Sequence, residues 1–140
     1  MSRIFWDTHL FIYLFENRGP RSRRVAELRE RMLERNDQLC TSTLTLGEVL
    51  VKPLEKSDEA LRRRYEEALS QAVLLIPFDK AAAVTYAAIR RGRGIRPPDA
   101  IQLACAAQAR VDLFLTNDDR LSRCRVPGVQ FISSLDRAFL

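Results

Sequence analysis

The sequence predicts an α/β protein in which a mostly parallel sheet is covered by helices on both faces. Short apolar segments alternate with amphipathic or alanine-rich helical segments along the whole chain, and this alternation is typical of β-α units with parallel strands. The predicted connections are short, and no linker, repeat or low-complexity segment divides the chain. We therefore expect the 140 residues to form one domain that spans residues 1–140.

Five short apolar segments are predicted as strands, because each is too short for a helix and is bounded by polar or turn residues. Pro77 directly follows the third segment and should stop it. The predicted strands are Arg3–Trp6, Gln38–Thr41, Val73–Ile76, Leu113–Leu115 and Val129–Ile132.

The segments between these strands carry apolar residues at three- and four-residue spacing, which predicts helices that pack on the sheet. Pro20 and Pro98 suit the first turns of two helices, whereas Pro53 should end or kink a third. The predicted helices are Thr8–Asn17, Pro20–Asn36, Thr43–Val51, Asp58–Ser70, Lys80–Arg91 and Pro98–Ala109, with a single helical turn at Asp119–Arg123.

The cysteines and the N-terminal segment bear on the cellular compartment. The three cysteines, Cys40, Cys105 and Cys124, form no CxxC pair, so we expect free thiols rather than a disulfide framework or a zinc site. Asp7 interrupts the apolar segment at the start of the chain, which argues against a signal peptide or a membrane span. These features predict a soluble cytoplasmic protein.

Arginine carries the basic charge of the chain. The sequence holds 20 arginines and three lysines, with a net charge of +5 and a pI of about 9.6. Because a guanidinium binds phosphate through two parallel hydrogen bonds and stacks on bases, this composition favours a nucleic-acid binder. A genome of high GC content would enrich arginine in the same way, and composition alone leaves both interpretations open.

Most patterns of nucleophilic catalysis are missing from the sequence. The one histidine is His9, no GxSxG segment is present, and Gly92–Gly94 lacks the further glycines and the lysine of a phosphate-binding loop. His9 is predicted to be a surface residue at the start of a helix. A Ser-His-Asp triad is not expected, and carboxylates are the remaining candidates.

Four acidic residues should lie at one edge of the predicted sheet. Asp7 ends the first strand, Asp118 follows the fourth, Asp99 lies in the first turn of a helix, and Glu48 lies in the helix after the second strand. The carboxyl ends of parallel strands meet at the same edge, where ligands bind. Asp112 enters its strand from the opposite edge and is therefore excluded from this group.

Each acid also has a purely structural interpretation. Asp7 and Asp118 are possible helix N-caps, Asp99 complements a helix dipole, and Glu48 is a possible solvated residue. As a group, however, carboxylates about 5 Å apart repel by roughly 3 kcal/mol per pair at an effective dielectric near 20. A bound cation relieves that repulsion, and oxygen ligands without His or Cys favour Mg²⁺ or Mn²⁺.

The segments that contain these acids resemble the four acidic motifs of the PIN-domain nucleases, and most of all the VapC toxins of bacterial toxin–antitoxin pairs. The ordered set is more specific than any one motif, and PPDAIQLA followed by LTND is its most characteristic pair. The resemblance covers essentially the whole chain. The matching segments are Trp6–Glu16, Ser42–Glu55, Arg96–Ala106 and Phe114–Leu121.

The resemblance implies a three-layer α/β/α fold whose parallel sheet has the order 3-2-1-4-5. It also implies that the four acids form the catalytic, metal-binding site, with Thr8 and Thr116 as supporting hydroxyls. Asp119 competes with Asp118 for the fourth place, and the family's Thr-x-Asp spacing from Thr116 favours Asp118. The four expected site residues are Asp7, Glu48, Asp99 and Asp118.

The function implied by the resemblance is hydrolysis of RNA phosphodiester bonds by an endoribonuclease that uses Mg²⁺ or Mn²⁺ to activate a water molecule. Its products would carry 5′-phosphate and 3′-hydroxyl ends. The resemblance further implies an antitoxin partner that lies over the active-site groove. It also implies a homodimer formed largely by the helices around Thr43–Ser70, where Leu54 and Leu61 would be exposed unless they pack within the chain.

Arginines flank the candidate acids in the sequence. They would bind RNA phosphates on either side of the scissile bond, or they belong to a solvated charged loop. These arginines are Arg90, Arg91, Arg93 and Arg96 before Asp99, and Arg120 and Arg123 after Asp118.

Two other functions stay open at this point. A non-catalytic PIN-like module would bind RNA or a protein without cleavage, although the full set of four acids argues against it. A phosphotransferase or phosphatase on a similar fold would use Asp7 as a covalent nucleophile. Thr8 and His9 follow Asp7, however, so the second Asp that such enzymes place two residues on is missing.

Overall fold

The computed structural model describes residues 1–92 and 94–140 and contains a five-stranded sheet in the order β3-β2-β1-β4-β5. Every neighbouring pair of strands in this sheet is parallel. The predicted sheet and its order are therefore confirmed. The strands are β1 (Arg3–Trp6), β2 (Gln38–Ser42), β3 (Leu74–Ile76), β4 (Leu113–Thr116) and β5 (Phe131–Ser134).

Helices connect the strands, as the alternating pattern predicts. Two single turns of 3-10 helix, Leu121–Arg123 and Leu135–Arg137, precede and follow β5. The α-helices are α1 (Thr8–Phe15), α2 (Pro20–Glu34), α3 (Thr43–Glu55), α4 (Glu59–Gln71), α5 (Lys80–Arg90) and α6 (Pro97–Gln108).

The helices form two layers, one on each face of the sheet. Successive side chains of a strand point to opposite faces, so Trp6 packs with residues of α1 to α4 and Phe5 packs with residues of α5 and α6. Phe5 stacks on Phe114 of the adjacent strand β4, with ring centroids 5.0 Å apart. Burial of each such aromatic side chain stabilises the fold by roughly 1.5–3 kcal/mol. Helices thus cover both faces of the sheet, which gives the three-layer α/β/α architecture.

Several predicted boundaries differ from the observed ones, and two of these differences have a clear physical reason. Pro53 does not end α3, because it lies in the last turn, where its missing N–H removes at most one helical hydrogen bond. The last strand begins at Phe131 rather than Val129, because Val129 still belongs to a turn in which its N–H bonds to the carbonyl of Val126. Apolar composition marks the buried segment but does not mark where the ladder of hydrogen bonds begins.

The structure describes the state of the cysteines and the lengths of the helices, two features on which the sequence analysis commented. All three cysteines are free, and burial raises the pKa of Cys40 and of Cys105 to about 11. Within the described part of the chain, none of the helices combines the length and the apolar character needed to cross a membrane.

Gly128 is required by the close approach of the turn before β5 to α6. Its φ angle is +98°, and an added Cβ atom would lie 2.7 Å from the backbone oxygen of Ala107. We expect Gly128→Ala to lower the free energy of unfolding by about 1–3 kcal/mol, because both the backbone conformation and the contact become unfavourable. Urea denaturation measures this difference.

Gly47 provides the matched control, since an added Cβ atom there meets nothing within 4 Å. Gly47 lies inside α3, so Gly47→Ala should raise the free energy of unfolding by roughly 0.5–1 kcal/mol. Equal effects of the two substitutions would contradict the close packing described for Gly128.

Candidate functional site

The candidate site lies at the carboxyl edge of the sheet, where β1 and β4 lie side by side. From this pair the chain order runs outward in opposite directions, through β2 and β3 on one side and β5 on the other. Such a reversal leaves a crevice outside the strand ends, because the connecting helices leave toward opposite faces. Asp7 directly follows β1, and Asp118 lies two residues after β4.

Asp7 is a buried carboxylate with one satisfied oxygen and one unsatisfied oxygen. Asp7 as a whole is 8% exposed to solvent. Its Oδ2 atom accepts hydrogen bonds from the Thr116 hydroxyl at 2.6 Å and from the Asn117 backbone N–H at 3.3 Å. Its Oδ1 atom has no hydrogen-bond partner among the described residues. Burial is the largest influence on this group and raises the pKa of Asp7.

Asp7 occupies the N-cap position of α1 without a capping hydrogen bond of good geometry. Its backbone is extended at this position. Its own N–H is bound to the carbonyl of Leu115 in β4, which fixes the backbone of Asp7 to the neighbouring strand. Against the larger effect of burial, the backbone N–H of Leu10, in the first turn of α1, nevertheless lowers the pKa of Asp7, so the carboxylate interacts with the helix start.

Thr116 joins Asp7 to Asp118. Its hydroxyl donates to Asp7 and accepts a hydrogen bond from the backbone N–H of Asp118 at 3.0 Å. The predicted supporting hydroxyl thus lies between two of the candidate acids, and it is fully buried.

Asp99 and Asp118 line one concavity of about 220 Å³ next to this junction. Their side chains are 22% and 23% exposed. Asp119 is exposed and does not line this concavity, which favours Asp118 over Asp119 as the fourth acid. Two of the predicted site acids therefore face the same space, although they come from different elements.

Both of these acids form ion pairs with arginine side chains. Arg120 contacts Asp118 with Nε at 3.1 Å and with a terminal nitrogen at 3.0 Å, and Arg96 Nε lies 3.4 Å from Asp99. The hydrogen bonds from Arg120 hold the pKa of Asp118 below its usual value. Both guanidinium groups are largely exposed, so each pair stabilises the fold by about 1 kcal/mol at most.

Glu48 is exposed to solvent, as its structural interpretation allows. The apolar residues around it in the sequence suggest a half-buried carboxylate, but Glu48 is exposed because the apolar face of α3 turns inward at Val49. Its Oε1 atom accepts a hydrogen bond of 2.6 Å from the Thr8 hydroxyl. Glu48 is thus connected to the residue that follows Asp7, but it lines a different concavity from that of Asp99 and Asp118.

A buried polar network that was not predicted holds these elements together. The amide nitrogen of Gln102 donates to the hydroxyls of Thr8 at 3.1 Å and Thr45 at 2.8 Å, and its oxygen accepts from Ser42. Gln102 therefore ties α6 to the start of α1 and to the start of α3. The signal in the sequence was a glutamine amid apolar residues, one helical turn after Asp99.

The remaining residues that the sequence analysis singled out lie at different places in the structure. His9 is exposed near the start of α1, as predicted. Asp112 lies at the opposite edge, where it accepts a hydrogen bond from the Arg3 backbone N–H at 2.8 Å. Of the predicted phosphate ligands, Arg90 instead donates to the carbonyl of Ile95, and Arg93 lies outside the described residues.

The donors at this edge fit a hard divalent cation in their chemistry. In residues 1–92 and 94–140, no three His, Cys, Asp or Glu side chains are close enough to hold one metal ion. Asp7 Oδ1, however, is a buried carboxylate oxygen without a partner, and such an atom is stabilised by a cation. Mg²⁺ takes only one or two carboxylates and keeps several waters, so this donor set suits it.

Comparisons with known proteins point to one family. The model of the PIN domain matches residues 4–126, which include all four candidate acids. No curated protein matches the chain at a significant level. A structure of VapBC2 from Rickettsia felis bound to a DNA fragment from their promoter matches with a TM-score of 0.74 and 14% identity, covering 94% of this chain and 98% of that one.

Two further solved structures are similar. A toxin–antitoxin complex from Klebsiella pneumoniae matches with a TM-score of 0.66 and 26% identity over 90% of this chain and 94% of that one. DNA-bound VapBC from Salmonella typhimurium matches with a TM-score of 0.64 and 24% identity over 96% of this chain and 99% of that one. The likeness to the Rickettsia and Salmonella structures shows the fold.

The burial of Asp7 predicts a pH-dependent gain of stability when its charge is removed. Because its pKa is raised in the folded state, ionisation destabilises the fold as the pH rises above the ordinary value of 3.8. We expect Asp7→Asn to raise the free energy of unfolding at pH 7 in metal-free buffer by about 1 kcal/mol, and the gain to shrink toward pH 3.5. Urea denaturation across this pH range measures it.

Asp119→Asn is the control for this experiment, because Asp119 is exposed and adjacent to the site. It should change the free energy of unfolding by less than about 0.5 kcal/mol at every pH. A gain for Asp7→Asn that does not vary with pH would contradict the burial of an ionised carboxylate.

Replacement of the Gln102 amide by an apolar side chain should lower the stability of the fold. Gln102→Leu leaves three buried hydroxyls without this partner, so we expect it to lower the free energy of unfolding by about 1–3 kcal/mol. Gln108→Leu, on the exposed side of the same helix, removes one exposed hydrogen bond to Thr85 and should cost less than about 0.5 kcal/mol. Equal losses in denaturant titrations would show that the network is not stabilising.

Proposed function

The chain belongs to the PIN-domain family, and from this premise we propose that it is a metal-dependent endoribonuclease that acts as the toxin of a toxin–antitoxin pair. The observation that carries this proposal is the buried, half-satisfied carboxylate of Asp7 at the point where the strand order reverses. Carboxylates in such settings are common at functional sites, because a fold optimised for stability alone would avoid them.

The residues that would hold a divalent cation are Asp7, Glu48, Asp99 and Asp118. A bound Mg²⁺ or Mn²⁺ would supply an activated water and would stabilise negative charge on the departing oxygen. Thr116 positions Asp7 and the backbone of Asp118 toward each other, while Thr8 orients Glu48. No side chain of the chain is then needed as a nucleophile.

Arg96 and Arg120 have a second use in this proposal. They neutralise Asp99 and Asp118 in the structure, and their guanidinium groups are exposed. A cation beside these acids would take over the neutralisation, so the guanidinium groups would be released. A released guanidinium at this position is suited to bind a phosphate of the RNA next to the cleaved bond.

The proposed partners are an antitoxin protein and a second copy of the chain. The similar structures include a toxin–antitoxin complex from Klebsiella pneumoniae at 26% identity, which supports an antitoxin. Val51 and Leu54 on α3 are 52% and 60% exposed, which supports a dimer interface on the helices predicted for it. Leu61, expected to be exposed there, is half-buried.

The phosphotransferase alternative would need an acid two residues after Asp7, and His9 occupies that position. The non-catalytic module is the remaining alternative, and an assay with RNA separates it from the proposal. The protein is incubated with single-stranded RNA, with structured RNA and with a chromogenic phosphomonoester, in Mg²⁺, in Mn²⁺ and in EDTA. We expect RNA cleavage in the divalent metals, none in EDTA, and no release of phosphate from the monoester.

Matched variants make this assay specific for the site. Asp7→Asn and Asp118→Asn should lower RNA cleavage by on the order of 100-fold or more, because each removes a carboxylate that would hold the cation. Asp119→Asn should keep the wild-type rate. RNA binding without metal-dependent cleavage by the wild-type protein would favour the non-catalytic module and would overturn the proposal.

A further inference from the structure

Glu48 depends on a single hydroxyl for its orientation. Its carboxylate is exposed, and the Oε1 atom accepts a hydrogen bond of 2.6 Å from the Thr8 hydroxyl. Within residues 1–92 and 94–140, no second hydrogen bond and no ion pair holds this side chain. An exposed glutamate samples several rotamers, and the bond from Thr8 selects among them. The direction in which Thr8 donates its proton therefore determines how well the Glu48 carboxylate is oriented.

The Thr8 hydroxyl has two acceptors within reach for its one proton. One is Glu48, and the other is the hydroxyl oxygen of Thr45, which lies 3.1 Å away in a contact where either oxygen can be the donor. Because a hydroxyl carries one proton and two lone pairs, Thr8 cannot donate to both acceptors at once. Thr8 and Thr45 are both buried, so neighbouring protein groups set the direction of the bond.

Gln102 favours donation from Thr8 to Glu48. Its amide nitrogen carries two N–H groups and donates to Thr8 at 3.1 Å and to Thr45 at 2.8 Å. The bond to Thr45 uses a lone pair of that oxygen, which lowers its capacity to accept the proton of Thr8. The bond to Thr8 polarises the Thr8 hydroxyl, and a hydroxyl that accepts one hydrogen bond donates the next one more strongly. The chain of donors thus runs from the amide through Thr8 to the carboxylate.

Ser42 fixes which end of the Gln102 amide meets the threonines. The Ser42 hydroxyl donates to the oxygen of the amide, so the nitrogen is left on the side of Thr8 and Thr45. Gln102 is 3% exposed and Ser42 is fully buried. The direction of the hydrogen bonds is therefore set by the interior of the protein, although the carboxylate that they reach lies at the surface.

We propose that Gln102 is a positioning residue for the candidate metal site, where it directs the proton of Thr8 to Glu48 and so orients the Glu48 carboxylate. This inference rests on the proposed function, because it takes Glu48 as a ligand of the divalent cation. The hydrogen bonds of Gln102 go to hydroxyls, so it acts on the site only through Thr8. Replacement of residues that orient metal ligands typically lowers the metal affinity by about 10–100-fold.

Binding of Mn²⁺ in the absence of RNA tests this proposal, measured by the electron paramagnetic resonance signal of the free ion, which falls as the ion binds. We expect Gln102→Leu to weaken Mn²⁺ binding by roughly tenfold, and Thr8→Val to weaken it by at least as much. The double variant should bind Mn²⁺ as Thr8→Val does, because Gln102 has no route to Glu48 without the Thr8 hydroxyl. Independent effects would multiply instead.

Ile89→Val is the control for a general loss of stability. Ile89 is buried on α5 in the core that also contains α6, and its truncation lowers the stability of the fold without touching a group of the network. It should keep the wild-type affinity for Mn²⁺. Gln102→Met keeps the length of the side chain and should show the same loss as Gln102→Leu. Circular dichroism and urea denaturation establish that each variant is folded under the conditions of the titration.

Wild-type Mn²⁺ affinity in both Gln102 variants, or an equal loss in Ile89→Val, would overturn the proposal. So would multiplied losses in the double variant, because Gln102 would then act through the position of α6 and Asp99 rather than through Thr8.

RNA cleavage by the same samples separates this proposal from the proposed function. If the Mn²⁺ affinities follow the expected pattern but the wild-type protein cleaves no RNA, the proposed function fails and the role of Gln102 stands. If the wild-type protein cleaves RNA in Mn²⁺ but the Gln102 variants bind the ion as it does, the proposed function stands and the role of Gln102 fails.

Discussion

The carboxylate of Asp7, held out of water at the reversal of the strand order, is the constraint around which the carboxyl edge of the sheet is organised. Burial of an ionised carboxylate without a full set of partners costs free energy, and the hydrogen bonds from Thr116 and Asn117 reach only one of its oxygens. The buried hydroxyls and the amide of Gln102 surround this edge with fixed polar groups. The half-satisfied carboxylate lowers the stability of the fold, whereas the network around Gln102 stabilises the elements that hold it.

The charges outside this buried group are arranged so that they can be exchanged. Arg96 and Arg120 pair with Asp99 and Asp118 at the surface, where an ion pair stabilises the fold only slightly. If a cation binds there as proposed, its replacement of these arginines would require little free energy and would free positive charge beside the acids. Under the proposed function, the same property would let a basic protein combine an acidic centre with the binding of a polyanion.

The sequence predicts the layers and the strand-end acids well, because both follow from short-range rules. Period-two and helical spacing place Asp7 after a buried strand, and parallel strands bring Asp118 to the same edge. The expected burial of Glu48 was wrong, since the helical face that turns inward depends on how α3 packs. Gln102 was missed because its role requires partners from β2, α1 and α3, which no local pattern reports.

A crystal structure of the protein soaked in Mn²⁺, with anomalous scattering recorded at the manganese edge, tests the central claim most directly. The account predicts an anomalous peak at coordination distance from Asp7 Oδ1, with Asp118 or Asp99 released from its arginine and directed toward the ion. An absence of any peak beside Asp7 at saturating Mn²⁺, with Arg96 and Arg120 still paired to their acids, would contradict it.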